Sequence, residues 1–165
     1  QIFFLTHRVQ LHQQLMCVIG SVIQDRSIYE DAEIFARNLF LQGSMDERDY
    51  QTYHALYQTL TEFLTPPDLV IYLRASVPTL VQRIKQRDRF YEQTIPDDYL
   101  ELLNTLYESW IDHFTFCPVL MVPADSLDFV KHPRHLDLII AKVQEKLTGK
   151  DEVIFYPDEV IQASN

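Results

Sequence analysis

One short apolar run limits the possible folds of this chain more than any other feature. Residues 69–73 are five consecutive apolar residues, and Pro66 and Pro67 precede them. A run of this length is typical of a strand that is covered on both faces. Residues 119–122 predict another strand, and helical patterns separate the two runs. The sequence therefore predicts an α/β fold in three layers, with a parallel sheet between helices on both faces.

Helical spacing and capping signals divide the rest of the chain. We expect one domain over residues 1–148, followed by a polar tail over 149–165. Ser27 is a predicted N-cap, and residues 44–47 form a predicted capping box. The predicted helices cover residues 2–19, about 28–41, about 45–64, the segment after Ser76, the segment after Pro96 and about 134–147, and a further strand is predicted at 21–25.

Composition and charge exclude several classes of protein. The chain has 165 residues, of which 47% are hydrophobic, and this indicates a globular domain with a real core. Its net charge of −10 argues against a broad surface for nucleic acid. No apolar run reaches the roughly 18 residues that a membrane span needs. Cys17 and Cys117 lack metal-binding spacing, so we expect a reduced, cytoplasmic protein.

Basic residues are concentrated in one segment of this acidic chain. Five of the 14 basic residues lie between positions 74 and 89, namely Arg74, Arg83, Lys85, Arg87 and Arg89. On a helix, Arg83 and Arg87 share one face, while Lys85 and Arg89 share the next. Such a cluster suits a small anionic ligand, because the guanidinium fork matches phosphate oxygens. A solvated helix face is the alternative that this pattern leaves open.

The heptapeptide Asp25–Asp31 is the strongest indication of function. It follows the predicted strand at 21–25 and precedes a predicted helix. Ligands of open α/β sheets bind at the carboxyl ends of strands. A carboxylate such as Asp25 and a guanidinium such as Arg26 could there hold a metal ion and a phosphate oxygen.

Three further residues could form a site for a nucleobase. Gln1 and Arg8 are seven residues apart and share one helix face, and Asp31 lies one turn into the following helix, where it could pair with Arg8. The amide of Gln1 offers one donor and one acceptor, as a base edge requires. For each of these residues, and for Glu92, an ordinary surface polar group is the alternative.

Taken together, these segments resemble the deoxynucleoside kinase family. The resemblance covers about residues 1–147, in order and with matching spacing. It rests on the segments Asp25–Asp31, Arg83–Arg89, Glu92–Pro96, Tyr99 and Tyr107–Trp110. It implies a P-loop kinase-like fold and ATP-dependent 5′-phosphorylation of deoxyadenosine, deoxycytidine or deoxyguanosine in nucleotide salvage.

The resemblance also implies a role for each matching residue on the acceptor side. Asp25 would help to hold Mg²⁺, and Arg26 would contact the 5′-oxygen and the transferred phosphate. The groups that would bind the nucleoside are Gln1 on the base, Arg8 and Asp31 on the base edge, Phe35 as an aromatic wall and Glu92 on the sugar 3′-hydroxyl.

On the ATP side, the resemblance implies a lid and a loop. Arg83, Arg87 and Arg89 would clamp ATP, and Arg83 would also stack on the adenine. Asp128 and Phe129 fall where the family has its adenine-contacting loop. We expect the lid segment, about 83–94, to be mobile without nucleotide, since its like charges repel each other.

The chain departs from the family pattern by lacking a Gly-rich phosphate loop. It contains three glycines, Gly20, Gly43 and Gly149, and no two are close together. In the family this loop and the general base lie upstream of the base-binding glutamine. We therefore expect the C-terminal two-thirds of a kinase that lacks its first strands here, inactive by itself, with the strands at 21–25 and 69–73 poorly covered.

Alternative functions and the assembly remain open at this point. A non-catalytic structural subunit with a degenerate kinase fold is the main alternative, and a nucleoside monophosphate kinase is another. A scaffold has no need for the phosphate-binding residues Arg26, Arg83, Arg87 and Arg89, and this favours the kinase. The resemblance implies a homodimer that forms through the helices at 2–19 and 45–64, with no nucleic-acid or membrane partner.

Overall fold

The computed structural model describes residues 1–92 and 94–164, which form two compact units. The first unit comprises residues 1–65 and 102–112, and the second comprises residues 66–101 and the chain from His113 onward. No helix in the described ranges is both long and apolar enough to cross a bilayer. The elements are α1 (Ile2–Leu15), α2 (Ile28–Glu30), α3 (Arg37–Leu41), α4 (Glu47–Thr61), β1 (Val70–Arg74), α5 (Val77–Arg87), α6 (Asp97–His113), β2 (Val119–Pro123), α7 (Pro133–Leu147) and α8 (Pro157–Ser164).

The first unit is a helical assembly around an apolar core. A π-helix, Asp31–Ala36, joins α2 to α3, so that residues 28–41 are helical throughout, as predicted. Its helices bury mainly apolar and tyrosine side chains, and each fully buried large side chain contributes about 1.5–3 kcal/mol. The buried residues include Leu5, Ile28, Tyr29, Ala32, Ile34, Tyr53, Tyr57, Leu106 and Trp110.

Local hydrogen bonds fix both ends of the 28–41 helix. The predicted cap at Ser27 is confirmed, because its hydroxyl accepts from the amide of Tyr29 and its own amide donates to Glu30 in a capping box. At the other end, Gly43 adopts φ +72° and the amide of Ser44 donates to the carbonyl of Leu39. The helix thus ends in a left-handed turn that favours glycine.

The predicted capping box at 44–47 is wrong in its first residue. The backbone of Ser44 already belongs to the closing turn of the preceding helix. Asp46 is the N-cap of α4, and its carboxylate accepts from the amide of Asp49 at 2.8 Å. The helix therefore begins two residues later than the sequence pattern predicts.

The segment after α1 also differs from prediction. Helix α1 ends at Leu15, although a helix to residue 19 was predicted. Residues 21–25 form no strand, and Val22 and Ile23 are exposed. A strand requires a hydrogen-bonded neighbour, and no described strand pairs with this segment. The prediction of a strand at 21–25 is therefore wrong.

The second unit contains a two-stranded parallel sheet. Strands β1 and β2 pair in register from Val70 opposite Val119 to Arg74 opposite Pro123. Ile71 and Leu73 are exposed by 38% and 48%, so β1 is not covered on both faces. The poor cover expected for residues 69–73 is confirmed at these two positions.

The C-terminal tail packs into the core of the second unit. Its core cluster comprises Leu120, Val122, Leu127, Ile139 and Val160. Of these, Val160 lies on α8, and Val153 and Phe155 pack against the same cluster. Val153, Phe155 and Val160 of the 149–165 segment therefore serve the fold of this unit.

Candidate active site

Arg8 and Asp31 form the ion pair that the sequence predicts. Arg8 Nε donates to Asp31 Oδ2 at 3.1 Å, and Arg8 Nη1 donates to the carbonyl oxygen of Asp25 at 3.3 Å. The Asp31 carboxylate is 9% exposed and the Arg8 side chain 24%. A charged pair so shielded from water keeps a fixed orientation, because breaking it would leave a buried charge unpaired.

The π-helix places two predicted site residues in one irregular segment. Asp31 begins this segment and Phe35 lies within it. Such π turns are rare and are frequently found at functional sites. No pattern in the sequence distinguishes residues 31–36 from an ordinary α-helix, so the sequence analysis missed this feature.

Arg26 has a strained backbone and a defined side-chain partner. Its φ is +60°, in the left-handed region that a non-glycine residue seldom occupies. Its guanidinium carbon lies 4.7 Å from the centre of the Phe35 ring, a cation–π contact. The structure thus brings Arg26 and Phe35 together, and backbone strain of this kind is often found at ligand-binding positions.

Tyr107 belongs to the same group of residues, although no role was predicted for it. Burial raises the pKa of Tyr107 to about 12, with smaller raising contributions from Glu30, Asp31 and Asp25 and an opposing contribution from Arg26. Its hydroxyl therefore lies in the field of the predicted site residues. The only signal in the sequence was its place in the motif Tyr107–Trp110.

Tyr53 and Gln1 contribute buried polar atoms to this unit. Tyr53 is 2% exposed, and its hydroxyl has no hydrogen-bond partner within the described residues. Burial, and then the charge of Asp31, raises the pKa of Tyr53. The Oε1 atom of Gln1 is likewise buried without a partner among the described residues. These are the groups that a polar ligand could satisfy.

Asp25 is an exposed carboxylate, suitable for a hard cation. Mg²⁺ commonly takes one or two protein carboxylates and completes its octahedron with water and substrate phosphates. No group of three potential metal ligands exists among the described residues. Asp25 therefore fits Mg²⁺ that arrives with phosphate, and a metal site made wholly of protein ligands is not seen in the described part.

In the second unit, two of the predicted lid arginines share one carboxylate. Arg87 Nη2 lies 2.6 Å from Glu92 Oε2, and Arg89 Nη1 lies 3.6 Å from Glu92 Oε1. Glu92 is 9% exposed, and Asp88 ends α5 in the left-handed conformation that turns the chain back. The structure therefore assembles Arg87, Arg89 and Glu92 as one cluster. Gln93, which follows in the motif, lies outside the described residues.

Arg83 contacts the loop that precedes Asp128. Its Nη2 atom donates to the carbonyl oxygens of Ala124 and Leu127, the latter at 3.2 Å. Asp128 Oδ1 in turn accepts from the amide of Val130 at 3.1 Å. The predicted adenine-binding residues Arg83 and Asp128 are thus close neighbours.

A second link joins α5 to the same loop. Ser76, the predicted cap of α5, makes no capping bond with its own side chain. Asp125 instead accepts from the amide and the hydroxyl of Ser76, at 2.9 and 3.0 Å. Hydrogen bonds from Thr79 and Ser76 lower the pKa of Asp125, so it stays a carboxylate. This link was not predicted, because the two residues are far apart in sequence.

Comparison with known proteins assigns this arrangement to a family. The profile of the family described as deoxynucleoside kinase matches residues 1–148. Deoxyadenosine/deoxycytidine kinase of Bacillus subtilis is 34% identical over 145 residues, 87% of this chain and 67% of that protein. Deoxyadenosine kinase of Dictyostelium discoideum is 37% identical over 123 residues, 74% of this chain and 50% of that protein. The chain thus spans half to two-thirds of these relatives.

Solved structures agree with this assignment. The structure of deoxyadenosine kinase from M. mycoides with bound dATP is 34% identical, covers 87% of this chain and 72% of that one, and gives a TM-score of 0.73. The same enzyme with bound dCTP gives a TM-score of 0.67. This similarity confirms the predicted P-loop kinase fold. The chain belongs to the deoxynucleoside kinase family, and the predicted class of enzyme is confirmed.

Proposed function

We propose that this chain supplies the acceptor-binding and lid parts of an ATP-dependent deoxynucleoside 5′-kinase. The single observation that carries the proposal is the shielded Arg8–Asp31 pair in the first unit. Its companion in the second unit is the cluster of Arg87, Arg89 and Glu92. One set has the chemistry to bind a base, and the other has the chemistry to bind phosphate and a sugar hydroxyl.

The base is bound through paired donors and acceptors. With Arg8 Nε engaged on Asp31 and Nη1 on the Asp25 carbonyl, Arg8 Nη2 can donate to a ring nitrogen or carbonyl of the base. The second carboxylate oxygen of Asp31 can accept from an exocyclic amino group. Gln1 adds an amide edge. This combination favours an amino-bearing base, as in deoxyadenosine, deoxycytidine or deoxyguanosine, which agrees with the relatives' names.

Positively charged groups stabilise the phosphoryl group while it is transferred. Arg26 contacts the 5′-oxygen and the transferred phosphate, and Arg87 and Arg89 clamp the phosphates of ATP. Asp25 holds Mg²⁺, which when bound supplies neutralising charge to the phosphate oxygens. Phosphoryl transfer depends on positioning and charge more than on covalent chemistry, so these groups suit the reaction.

Two further sets of contacts are proposed, one with the sugar of the nucleoside and one with the adenine of ATP. Glu92 accepts a hydrogen bond from the 3′-hydroxyl of the deoxyribose. Asp128 and Phe129 bind the adenine of ATP, and Arg83 lies beside that loop through its bond to the Leu127 carbonyl. A non-catalytic subunit, the alternative, would need none of these groups.

The assembly and location are also proposed. Ile2, Phe3 and Phe4 are exposed apolar residues on α1, and we infer that they help to form a homodimer together with α4. Cys17 and Cys117 are both free thiols, which suits the cytoplasm.

The test is a kinase assay of the full-length protein that carries this chain, because these 165 residues contain no Gly-rich phosphate loop. We expect ATP-dependent phosphorylation of deoxyadenosine, deoxycytidine or deoxyguanosine, with a higher kcat/KM than for thymidine. Arg8→Met and Asp31→Asn should each reduce the ratio of kcat/KM for the preferred deoxynucleoside to kcat/KM for thymidine by about tenfold or more, because a buried polar partner is lost.

The matched control is an ion pair of the same type without shielding. Arg48 and Asp49 form a 3.3 Å pair whose side chains are 84% and 61% exposed. Arg48→Met should leave the ratio unchanged. A protein that phosphorylates none of these nucleosides would contradict the kinase and favour the non-catalytic subunit. Equal effects of Arg8→Met and Arg48→Met would contradict the base-binding assignment.

A further inference from the structure

The C-terminal helix lies beyond the part of the chain that the family profile matches. That match ends at residue 148, whereas α8 covers Pro157–Ser164. Val160 of α8 is nevertheless buried against Leu120, Val122 and Leu127. Leu127 directly precedes Asp128, so the helix packs beside the proposed adenine-binding loop within the same unit.

A buried histidine connects α8 with that loop. His135 is 2% exposed, and its Nδ1 accepts from the amide of Asp128 at 2.8 Å. Its Nε2 lies 2.8 Å from Ser164 Oγ, and the Ser164 hydroxyl donates to the carbonyl of Val160 at 2.8 Å. The connection therefore runs from the end of α8, through one imidazole, to the backbone of Asp128.

The directions of these bonds fix the tautomer of the histidine. An amide can only donate, so Nδ1 of His135 must be the unprotonated nitrogen. The proton of the neutral ring is then on Nε2, which donates to Ser164 Oγ. The Ser164 hydroxyl donates its own hydrogen to the Val160 carbonyl. Each donor in this series of three hydrogen bonds therefore has one acceptor. Removing the Ser164 hydroxyl would remove the acceptor that α8 supplies to this N–H.

A second contact holds α8 in place. The ammonium of Lys142, whose side chain is 7% exposed, lies 2.9 Å from both carboxylate oxygens of Glu159. One of these oxygens also accepts from the amide of Tyr156 at 3.1 Å. Both the start and the end of α8 are therefore attached to α7, which carries His135 and Lys142.

We propose that α8 helps to position the phosphate donor. Through Ser164 and His135, α8 holds Asp128 and Phe129 in the arrangement that binds the adenine of ATP. The loop is held from two sides, since Arg83 bonds to the carbonyl of Leu127 while His135 bonds to the amide of Asp128. This inference rests on the proposed function, in which the loop binds ATP. His135 and Ser164 are positioning residues and touch neither substrate.

The proposal predicts a selective effect on the affinity for ATP. Loosening the loop should weaken the binding of the donor, while the deoxynucleoside and the chemical step depend on other groups. His135→Ala should raise KM for ATP by about fivefold or more, with kcat and KM for the deoxynucleoside changed by less than about twofold. Ser164→Ala should have a smaller effect in the same direction.

A conservative variant separates positioning from general stability. In His135→Asn, the side-chain oxygen can accept from the amide of Asp128 in place of Nδ1, although the bond to Ser164 is lost. We expect this variant to recover much of the ATP affinity lost in His135→Ala. Gln162→Ala changes an exposed residue of α8 and is the control, which should behave as the parent protein does.

Two measurements in the full-length protein do not depend on activity. Hydrogen exchange at the amides of Asp128, Val130 and Lys131 should quicken in His135→Ala and Ser164→Ala, and calorimetric affinity for MgATP should fall in parallel. If the parent protein phosphorylates no deoxynucleoside, the proposed function fails, while these measurements still test the hold of α8 on the loop. Folded variants with unchanged exchange and unchanged ATP affinity would overturn the inference. Should His135→Ala fail to fold, Ser164→Ala and His135→Asn decide the matter.

Discussion

Arg87 and Glu92 form an ion pair of 2.6 Å across the turn that ends α5. The residue proposed to bind phosphate and the residue proposed to bind the sugar are therefore partners before either substrate arrives. In the proposed function, Arg87 leaves Glu92 to bind a phosphate, and the Glu92 carboxylate can then accept from the 3′-hydroxyl. We therefore expect the binding of the two substrates to be coupled through this ion pair.

This pairing leads to a prediction for Glu92→Gln. The parent enzyme should prefer a deoxynucleoside to the corresponding 2′,3′-dideoxynucleoside, which lacks the 3′-hydroxyl. The variant replaces a charged acceptor by a neutral one, which weakens the hydrogen bond by about 1 kcal/mol and should reduce that preference about fivefold. The measurement is kcat/KM for both nucleosides.

The control for this variant is Glu62→Gln, an exposed glutamate outside the cluster. It should keep the parent preference. If Glu92→Gln lowers kcat but keeps the preference for the 3′-hydroxyl, Glu92 serves only to hold Arg87.

Tyr107 should make stability depend on pH in alkaline solution. Its pKa is raised to about 12, chiefly by burial. An unfolded tyrosine has a pKa near 10 and so loses its proton first, and the folded state then binds more protons than the unfolded state. The contribution is fully present below about pH 10 and is lost as the pH rises towards about 12, by about 2–3 kcal/mol at most.

The measurement is the free energy of unfolding as a function of pH. Tyr107→Phe should flatten the decline between about pH 10 and pH 12, since the ionising group is gone. Tyr53 and Tyr57, whose pKa values burial also raises, should keep part of the decline. Tyr91→Phe changes a tyrosine that is 70% exposed and is the control. A curve for Tyr107→Phe that matches the parent would refute the assignment.

The lid should become more ordered when ATP binds. Arg83, Lys85, Arg87 and Arg89 carry like charges, and in the structure Arg87 and Arg89 rely on Glu92 for compensation. Phosphates supply more negative charge, so amide exchange over residues 83–92 should slow when MgATP is added. Equal exchange with and without nucleotide would argue against a moving lid.

The homodimer depends on apolar residues of α1 in our proposal. Phe3 is 75% exposed, and its ring contacts are with Phe4 and His7 of the same helix, at centroid distances of 5.6 and 6.2 Å. Phe3→Asp should place a charge in the interface and shift the protein towards the monomer, as light scattering would detect. Phe116→Asp changes a phenylalanine that is 57% exposed, lies between α6 and β2 and is outside the proposed interface, so it is the control. A monomeric parent protein would contradict the dimer directly.

The sequence alone predicted the elements whose signals are local. Strand β1, the helices α5 and α7 and the cap at Ser27 lie within a residue or two of their predicted positions, because apolar spacing and capping act over a few residues. The contact between Arg8 and Asp31 was also predicted, from a shared helix face and a family pattern. The roles of these two residues remain a prediction.

Tertiary structure decided what depends on distant neighbours. Residues 21–25 have the composition of a strand but form none, since a strand exists only with a hydrogen-bonded partner. The π-helix, the left-handed backbone of Arg26 and the burial of Tyr107 have no local signature, because packing imposes them. The 149–165 segment was predicted to be a polar tail that follows the domain. Val153, Phe155 and Val160 pack into the core of the second unit, because burial removes their apolar surface from water. This long-range contact has no local signal in the sequence, and it places α8 beside the 124–132 loop.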